Sequence, residues 1–377
     1  MMQISPETQL FIREHSSDDV RVLALQAKKY PDIDMPTAIT QIAGRKVAAE
    51  KIPSWWEIEK IWYPKHLSLE QCSSEITARY KARLLQGDSL TDLTGGFGID
   101  CSFLATGFKS ATYVERQEEL CEIAAHNFPV LNLNHINIKN EDGVTYLQVM
   151  SPVDSLFLDP ARRNEHGGKT VAISDCEPNV AELEELLLQK ANRVMIKLSP
   201  MLDLSLALKE LKQTQEVHIL SVNNECKELL ILLGQTSPAE ISIHCVNLFT
   251  KGTQKEQHFV FTREQEQCSE CTYTDSLETY LYEPNASLLK AGAFRSIAAA
   301  YLVRKLHPNS HLYTSDTFIE NFPGRIFRIV NQCSFNKKEV KENLADLKKA
   351  NVTVRNFPAT VAELLIRIHL PERGDHD

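Results

Sequence analysis

Residues 90–100 read Leu-Thr-Asp-Leu-Thr-Gly-Gly-Phe-Gly-Ile-Asp. A short apolar run ends at Asp92, Gly95, Gly96 and Gly98 follow, and helical character begins at Ile99. Glycine lets a backbone turn sharply and come close to a ligand. Such a unit holds a nucleotide-like cofactor at the carboxyl edge of a parallel sheet. Read as a dinucleotide fingerprint, the stretch is Gly96-Phe97-Gly98-Ile99-Asp100-Cys101, with cysteine where a third glycine permits close helix–strand packing. Two carboxylates, Asp92 and Asp100, bracket the turn. A pyrophosphate favours helix-end amides without carboxylates nearby, so the pair favours a cationic ligand.

S-adenosylmethionine fits that requirement. Asp92 can take up the methionine ammonium directly or through water. The loop Thr94, Gly95, Gly96 and Gly98 can pass beneath the methionine and ribose, and Asp100 can also face the ammonium. A tight strand–helix turn without ligand is the alternative. Glu115 ends the next strand, 17 residues after Gly98, where an acid can accept from both ribose hydroxyls. That feature supports a nucleoside without choosing between nicotinamide dinucleotide and S-adenosylmethionine. Asp142 could accept from an adenine amino group, although an Asp-Gly turn explains Asp142-Gly143 equally well.

The second chemical motif is Leu158-Asp159-Pro160-Ala161-Arg162-Arg163, directly after the fourth strand. Proline fixes one dihedral and removes a donor, shaping a rigid wall beside a reacting centre. Asp159 can orient or deprotonate a nucleophile, and Arg162 and Arg163 can hold an anion; a turn with solvated arginines is the alternative. Transfer of a methyl from a sulfonium is an in-line displacement in which positioning supplies much of the rate. The sequence has no Gly-x-Ser-x-Gly elbow, P-loop lysine or His/Cys nucleophile signature. Lys197-Leu198-Ser199-Pro200-Met201-Leu202-Asp203 can wall a substrate pocket, while Asp203 reads equally as a helix cap. Asp175 and Glu177 fit capping roles before the next helix.

The surrounding pattern must position these residues. Residues 5–85 read as helical, with a start at Ser17-Asp18-Asp19 and a Pro/Trp-rich bend at 52–56. A capping box at Ser68-Leu69-Glu70-Gln71 predicts one helix running on through Lys81. Between 88 and 235, strand runs (89–93, 111–115, 136–139, 155–158, 193–198, 217–222 and 229–233) alternate with helical runs such as 117–127, 180–190 and 204–212. This alternation predicts a parallel, doubly wound α/β sheet. The last two strands are joined only by Asn223-Asn224-Glu225 and must pair antiparallel. Strand-like runs at 241–248 and 258–262 are not placed by the alternation. After a polar stretch at 263–275 an α+β pattern begins: strand 279–282, helix 286–305, strands 310–313 and 325–330, helix 338–350, strand 352–355 and helix 360–368.

The chain has 377 residues and net charge −9, which argues against a protein that simply coats nucleic acid. Residues 276–377 carry 14 Lys+Arg and 11 Asp+Glu, so the tail is mildly basic on an acidic protein. No apolar run is long enough for a membrane span. No secretory signal is read at the N-terminus. Nine scattered cysteines fit free thiols in the reducing cytoplasm. Cys268 and Cys271 form a lone CxxC without the second pair that a structural zinc requires, so no metal is expected.

The residues Asp92-x-x-Gly95-Gly96-x-Gly98, Glu115, Asp142 and Asp159-Pro160-Ala161-Arg162 resemble those of class I S-adenosylmethionine-dependent methyltransferases, and the terminal antiparallel pair resembles that fold's seventh strand. More narrowly, Gln71-Cys72-Ser73-Ser74-Glu75, Asp159–Arg163, Lys197–Asp203 and Asn356-Phe357-Pro358-x-x-Val361-Ala362-Glu363-Leu364 resemble bacterial methyltransferases with a THUMP-like domain. The resemblance spans nearly the whole chain. It implies a helical region (1–85), a Rossmann-like methyltransferase domain (86–265), a ferredoxin-like domain (276–319) and a THUMP-like domain (320–377). It also implies S-adenosylmethionine as cofactor and structured RNA, tRNA or rRNA, as partner. The alternatives are a small-molecule or protein methyltransferase, a non-catalytic cofactor- or RNA-binding protein, and an NAD(P) oxidoreductase. Base-amino methyltransferases carry Asn/Asp-Pro-Pro-aromatic, where the aromatic stacks on a flipped base; here Ala161 and Arg162 stand instead. Asp-Pro-x-Arg is closer to uracil-C5 enzymes, but Ser199 occupies the place of their nucleophilic cysteine. The methylated atom stays open.

Overall fold

The computed structural model describes residues 4–162, 172–236, 238–345 and 347–368. Short parallel strands alternate with helices from β1 (Ser89–Asp92) through β2 (Ser110–Glu115), β3 (Ile136–Asn140) and β4 (Val153–Leu158). A two-residue pair, β5 (Ala161–Arg162) and β6 (Cys176–Glu177), follows. Then come β7 (Ala191–Leu198), β8 (Thr214–Val222), β9 (Glu225–Gly234), β10 (Ser242–Leu248) and β11 (Glu256–Thr262). The main sheet has nine strands in the order β11-β10-β8-β9-β7-β4-β1-β2-β3.

Strands β1 to β4 and β7 are parallel to their neighbours among themselves. The expected antiparallel pair is β8–β9, turned at Asn223 and Asn224, both at positive φ. Asparagine tolerates that region better than most residues. β9 is inserted between β7 and β8 and is antiparallel to both. Its Leu229–Leu233 run is wholly buried, because helices or neighbouring elements cover both faces of a central strand. The runs near 241–248 and 258–262 extend the sheet: β10 pairs parallel with β8, and β11 antiparallel with β10.

A second, four-stranded antiparallel sheet has the order β13-β14-β12-β15. Its strands are β12 (Tyr280–Pro284), β13 (Arg304–His307), β14 (Ser310–Ser315) and β15 (Gly324–Arg328). One core joins the two sheets: Tyr282, Leu288 and Phe322 share a buried cluster with Ile219, Ile231 and Ile243. The Ala286 amide donates to Asn224 Oδ1 at 2.8 Å, and Gln257 Nε2 donates to the Gly324 carbonyl at 3.0 Å.

Four local expectations are corrected. The helix expected over 338–350 is only Lys337–Asn343. The single helix at 286–305 is two, Ala286–Ala291 and Arg295–Tyr301, with Gly292 and Leu302 at positive φ ending them and 304–307 forming β13. Residues 352–355 form no strand. Ser68 lies inside the helix His66–Gln71 rather than capping a longer one. The chain is extended at Cys72 and Ser74, and a new helix, Glu75–Ala82, follows. That break turns Ser73 inward and aims Lys81 at the sheet, where both meet the carboxylates described below.

Candidate active site

A cavity of about 680 Å³ opens at the carboxyl ends of β1, β4 and β7. This is where the strand order reverses on either side of β1, so the loops after β1 and β4 diverge and leave a crevice. The loop after β1, the Asp159-Pro160-Ala161 segment, the residues after β7 and the N-terminal stretch Ser68–Ser73 line it.

The glycine turn is shaped from both sides. Gly96 and Gly98 have φ of +55° and +88°, and Gly98 leads directly into the helix Ile99–Ala105. A Cβ on Gly95 would stand 2.3 Å from the Tyr113 ring. Tyr113 Oη donates to the Gly96 carbonyl at 2.5 Å. Glu115 Oε2 accepts from the Gly96 amide and Oε1 from the Gln117 amide, both at 2.8 Å. Glu115 therefore clamps the turn, and each oxygen keeps a further lone pair for a hydroxyl.

Asp92 is fully buried. Its Oδ1 accepts from the Thr94 amide at 2.9 Å, whereas its Oδ2 has no hydrogen-bond partner. Burial pushes its carboxyl up to about 8, opposed by the Thr94 amide and reinforced by the charges of Asp100, Asp159 and Glu115. An orphaned buried carboxylate oxygen is costly unless a donor or cation reaches it. The Thr94 hydroxyl accepts from the Asp159 amide at 2.6 Å, tying the β1 and β4 loops together.

Asp100 is held differently. Its carboxylate meets Lys81 at 3.0 Å and Lys197 at 3.4 Å and accepts from Ser73 Oγ at 2.7 Å. Burial would raise this carboxyl, but the two lysines and Ser73 prevail and hold it at about 2. Lys81, with no exposure, also reaches Glu228 at 2.6 Å. Lys197 bonds Asp159 Oδ2 at 2.5 Å. Burial raises the Asp159 carboxyl, and Lys197 opposes it. The result is an alternating chain, Asp159–Lys197–Asp100–Lys81–Glu228, with Ser73 at its centre.

The structure brings Asp92, Thr94, Gly95, Gly96, Gly98, Asp100, Glu115, Asp142, Asp159 and Pro160 to one cavity. Asp142 Oδ1 caps the helix Gly143–Val149, accepting from Val144 and Thr145 amides at 3.1 and 3.0 Å. Asp203 caps the helix Leu204–Glu210, whereas Lys197, Ser199 and Pro200 line the cavity. Arg162 is placed by its backbone in β5, and Arg163 lies outside the described residues.

The chain superposes on the crystal structure of a proposed methyltransferase from Porphyromonas gingivalis W83 with TM-score 0.86 and 33% identity, over 99% of this chain and 94% of that one. The chain belongs to this THUMP-like-domain methyltransferase family. A ferredoxin-like domain model matches residues 280–323 of the family member described here, and a THUMP domain-like model matches 324–377. Two further solved structures overlap in part. One is a modification subunit of a proposed type I restriction enzyme from Vibrio vulnificus YJ016 (12% identity, 53% of this chain and 56% of that one, TM-score 0.37). The other is M. capricolum TrmK with S-adenosyl-homocysteine (12%, 43% and 68%, TM-score 0.34). No curated protein matches the sequence.

For this methyltransferase-family chain, reading motifs singly missed Lys81 and Glu228. They are distant in sequence from the glycine turn and follow no local spacing. Their signal was faint: a lysine directly after Tyr80 near the end of a helix, and a glutamate at the head of an apolar strand.

Proposed function

We propose that this chain is a cytoplasmic S-adenosylmethionine-dependent methyltransferase that modifies structured RNA, tRNA or rRNA. The observation that carries the cofactor is the unpartnered Asp92 Oδ2, buried at the base of a glycine turn and facing a cavity of nucleoside dimensions. The acceptors present fit: Asp92 for a cation, Glu115 for hydroxyls, and a turn in which Gly96 has room for close approach. When bound, S-adenosylmethionine supplies an electrophilic methyl on a sulfonium.

The protein's part is positioning. Asp92, with Asp100 nearby, would hold the ammonium; Thr94, Gly95, Gly96 and Gly98 would underlie it; Glu115 and Asp142 would face ribose and adenine. Asp159, fixed by Lys197 and by its amide bond to Thr94, would orient the nucleophile and accept its proton, beside the wall made by Pro160. Arg162 would hold an anion of the substrate. The helical region 1–85 would roof the methyltransferase domain 86–265, and the modules at 276–319 and 320–377 would present RNA. The THUMP domain-like match and the basic balance of the tail support an RNA acceptor. Among the described residues no helix is long and apolar enough to cross a membrane.

The test is transfer of tritiated methyl from S-adenosylmethionine into separated RNA, protein and metabolite fractions. Label in RNA that disappears with Asp159→Ala is expected. Label confined to protein or metabolites would replace the RNA acceptor, and no binding of S-adenosylhomocysteine would sink the cofactor reading.

A further inference from the structure

A row of side chains crosses the main sheet: Lys197 on β7 pairs with Leu230 on β9, Leu230 with His218 on β8, and His218 with His244 on β10. Directly paired residues share one face of a sheet. Lys197 serves the cavity, Leu230 is buried, and beyond it stand two imidazoles that the proposed chemistry does not use. Glu216 lies two residues before His218 and so points to the same face.

From these residues we infer a divalent transition-metal site of the zinc class formed by Glu216, His218 and His244. One oxygen of Glu216 and one ring nitrogen from each histidine lie within 4.8 Å of one another. His218 Nε2 is 3.2 Å from Glu216 Oε2, close to the spacing of neighbouring ligands around a metal bound at about 2.0–2.2 Å. The two imidazole rings stack nearly parallel with centroids 4.3 Å apart, so binding requires one ring to turn about its side-chain torsions until both nitrogen lone pairs meet at one point. Two neutral imidazoles and one carboxylate suit Zn²⁺ or Co²⁺, with a water completing four-coordination.

A second set of contacts points the same way. Ligating histidines are commonly oriented through their other ring nitrogen. His218 Nδ1 is 2.8 Å from Tyr80 Oη, which leaves Nε2 for the metal. His244 Nε2 lies 3.2 Å from Ser242 Oγ and its Nδ1 3.1 Å from His258 Nε2, so one of these two contacts gives way to the ion and the other orients the ring. Arg193 Nη2 lies 3.2 Å from Glu216 Oε2. It steadies the carboxylate and competes for it, so the affinity expected is that of an exchangeable site. Tyr80 precedes Lys81 in the same helix, so a bound ion would pin β8 and β10 and steady the helix that feeds the charge chain of the cavity.

The test uses the full chain without an affinity tag. Calorimetry with Zn²⁺, and absorption spectroscopy with Co²⁺, should show one equivalent bound. His218→Ala and His244→Ala should each weaken binding at least about tenfold, while Cys268→Ser/Cys271→Ser leaves it unchanged. In the unaltered chain, Zn²⁺ should protect the half-buried His244 from acylation by diethyl pyrocarbonate, read by mass spectrometry; this holds even where a variant folds poorly. Absence of saturable binding, binding lost with the cysteines but kept without the histidines, or unprotected His244 at saturating Zn²⁺ would each overturn the proposal.

Discussion

Lys197 Nζ lies 2.5 Å from Asp159 Oδ2, so the carboxylate after β4 is held by an ammonium from the end of β7. The same ammonium reaches Ser73 at 3.0 Å and Asp100 at 3.4 Å. One residue therefore joins the β1, β4 and β7 loops to the N-terminal region. Asp159→Ala is expected to leave S-adenosylhomocysteine binding intact and to lower kcat by at least about 100-fold, the usual contribution of a positioned acid or base. Calorimetry and single-turnover methyl transfer check the two halves separately.

Removing one member of the buried charge chain should be costly, because its partners stay buried without compensation. Lys81→Met leaves Glu228 without its lysine and Asp100 with only Lys197. A loss of about 3–5 kcal/mol is expected in urea unfolding. The double variant Lys81→Met/Glu228→Leu should recover part of it.

Asp92 gives a pH signature. In the ligand-free chain its carboxyl titrates at about 8. Binding of a cation there needs the ionised form. Affinity for S-adenosylhomocysteine should therefore rise by up to about tenfold per pH unit from pH 6 towards 8 and then level. Asp92→Asn should bind weakly, with that dependence removed.

The same residue affects folding in the opposite sense. Because burial raises the Asp92 carboxyl, its contribution to stability is fully present below the unfolded value of 3.8 and is lost as pH rises through about 8. Asp92→Asn should stabilise the ligand-free chain near pH 7 by no more than about 4 kcal/mol. A higher denaturation midpoint together with lost cofactor binding is the expected pattern.

Two glycines of the turn should differ. A Cβ at Gly95 collides with the Tyr113 ring, whereas a Cβ at Gly96 meets only the Thr94 carbonyl at 3.7 Å, although φ there is +55°. Gly96→Ala should cost about 1 kcal/mol of stability from the left-handed backbone. Gly95→Ala should cost more, about 1–3 kcal/mol, as overpacking. Thermal unfolding of both variants separates the two.

The parallel core was legible because its signals are local. The run Leu229–Leu233 reads as a strand wherever it lies, and Asn223-Asn224 reads as a turn. The runs 241–248 and 258–262 were legible as strands but not as sheet members, because joining β8 depends on an edge that β9 leaves available by inserting beside β7. The split of 286–305 was missed because Gly292 was outweighed by good helix formers on both sides; tertiary docking on β8–β10 decided it.

The sequence by itself determined that Asp92, the glycine turn, Glu115 and Asp159 would stand at strand ends, since glycine spacing and strand–helix alternation constrain the backbone locally. Their electrostatic state comes from contacts between distant parts of the chain. Asp92 Oδ2 is orphaned and Asp100 doubly paired although only eight positions separate the strand end from the helix start, because Lys81 and Lys197 arrive from a distant helix and strand and reach Asp100 but not Asp92. Charge pairing in a buried site depends on where lysines converge in space, which no local spacing encodes.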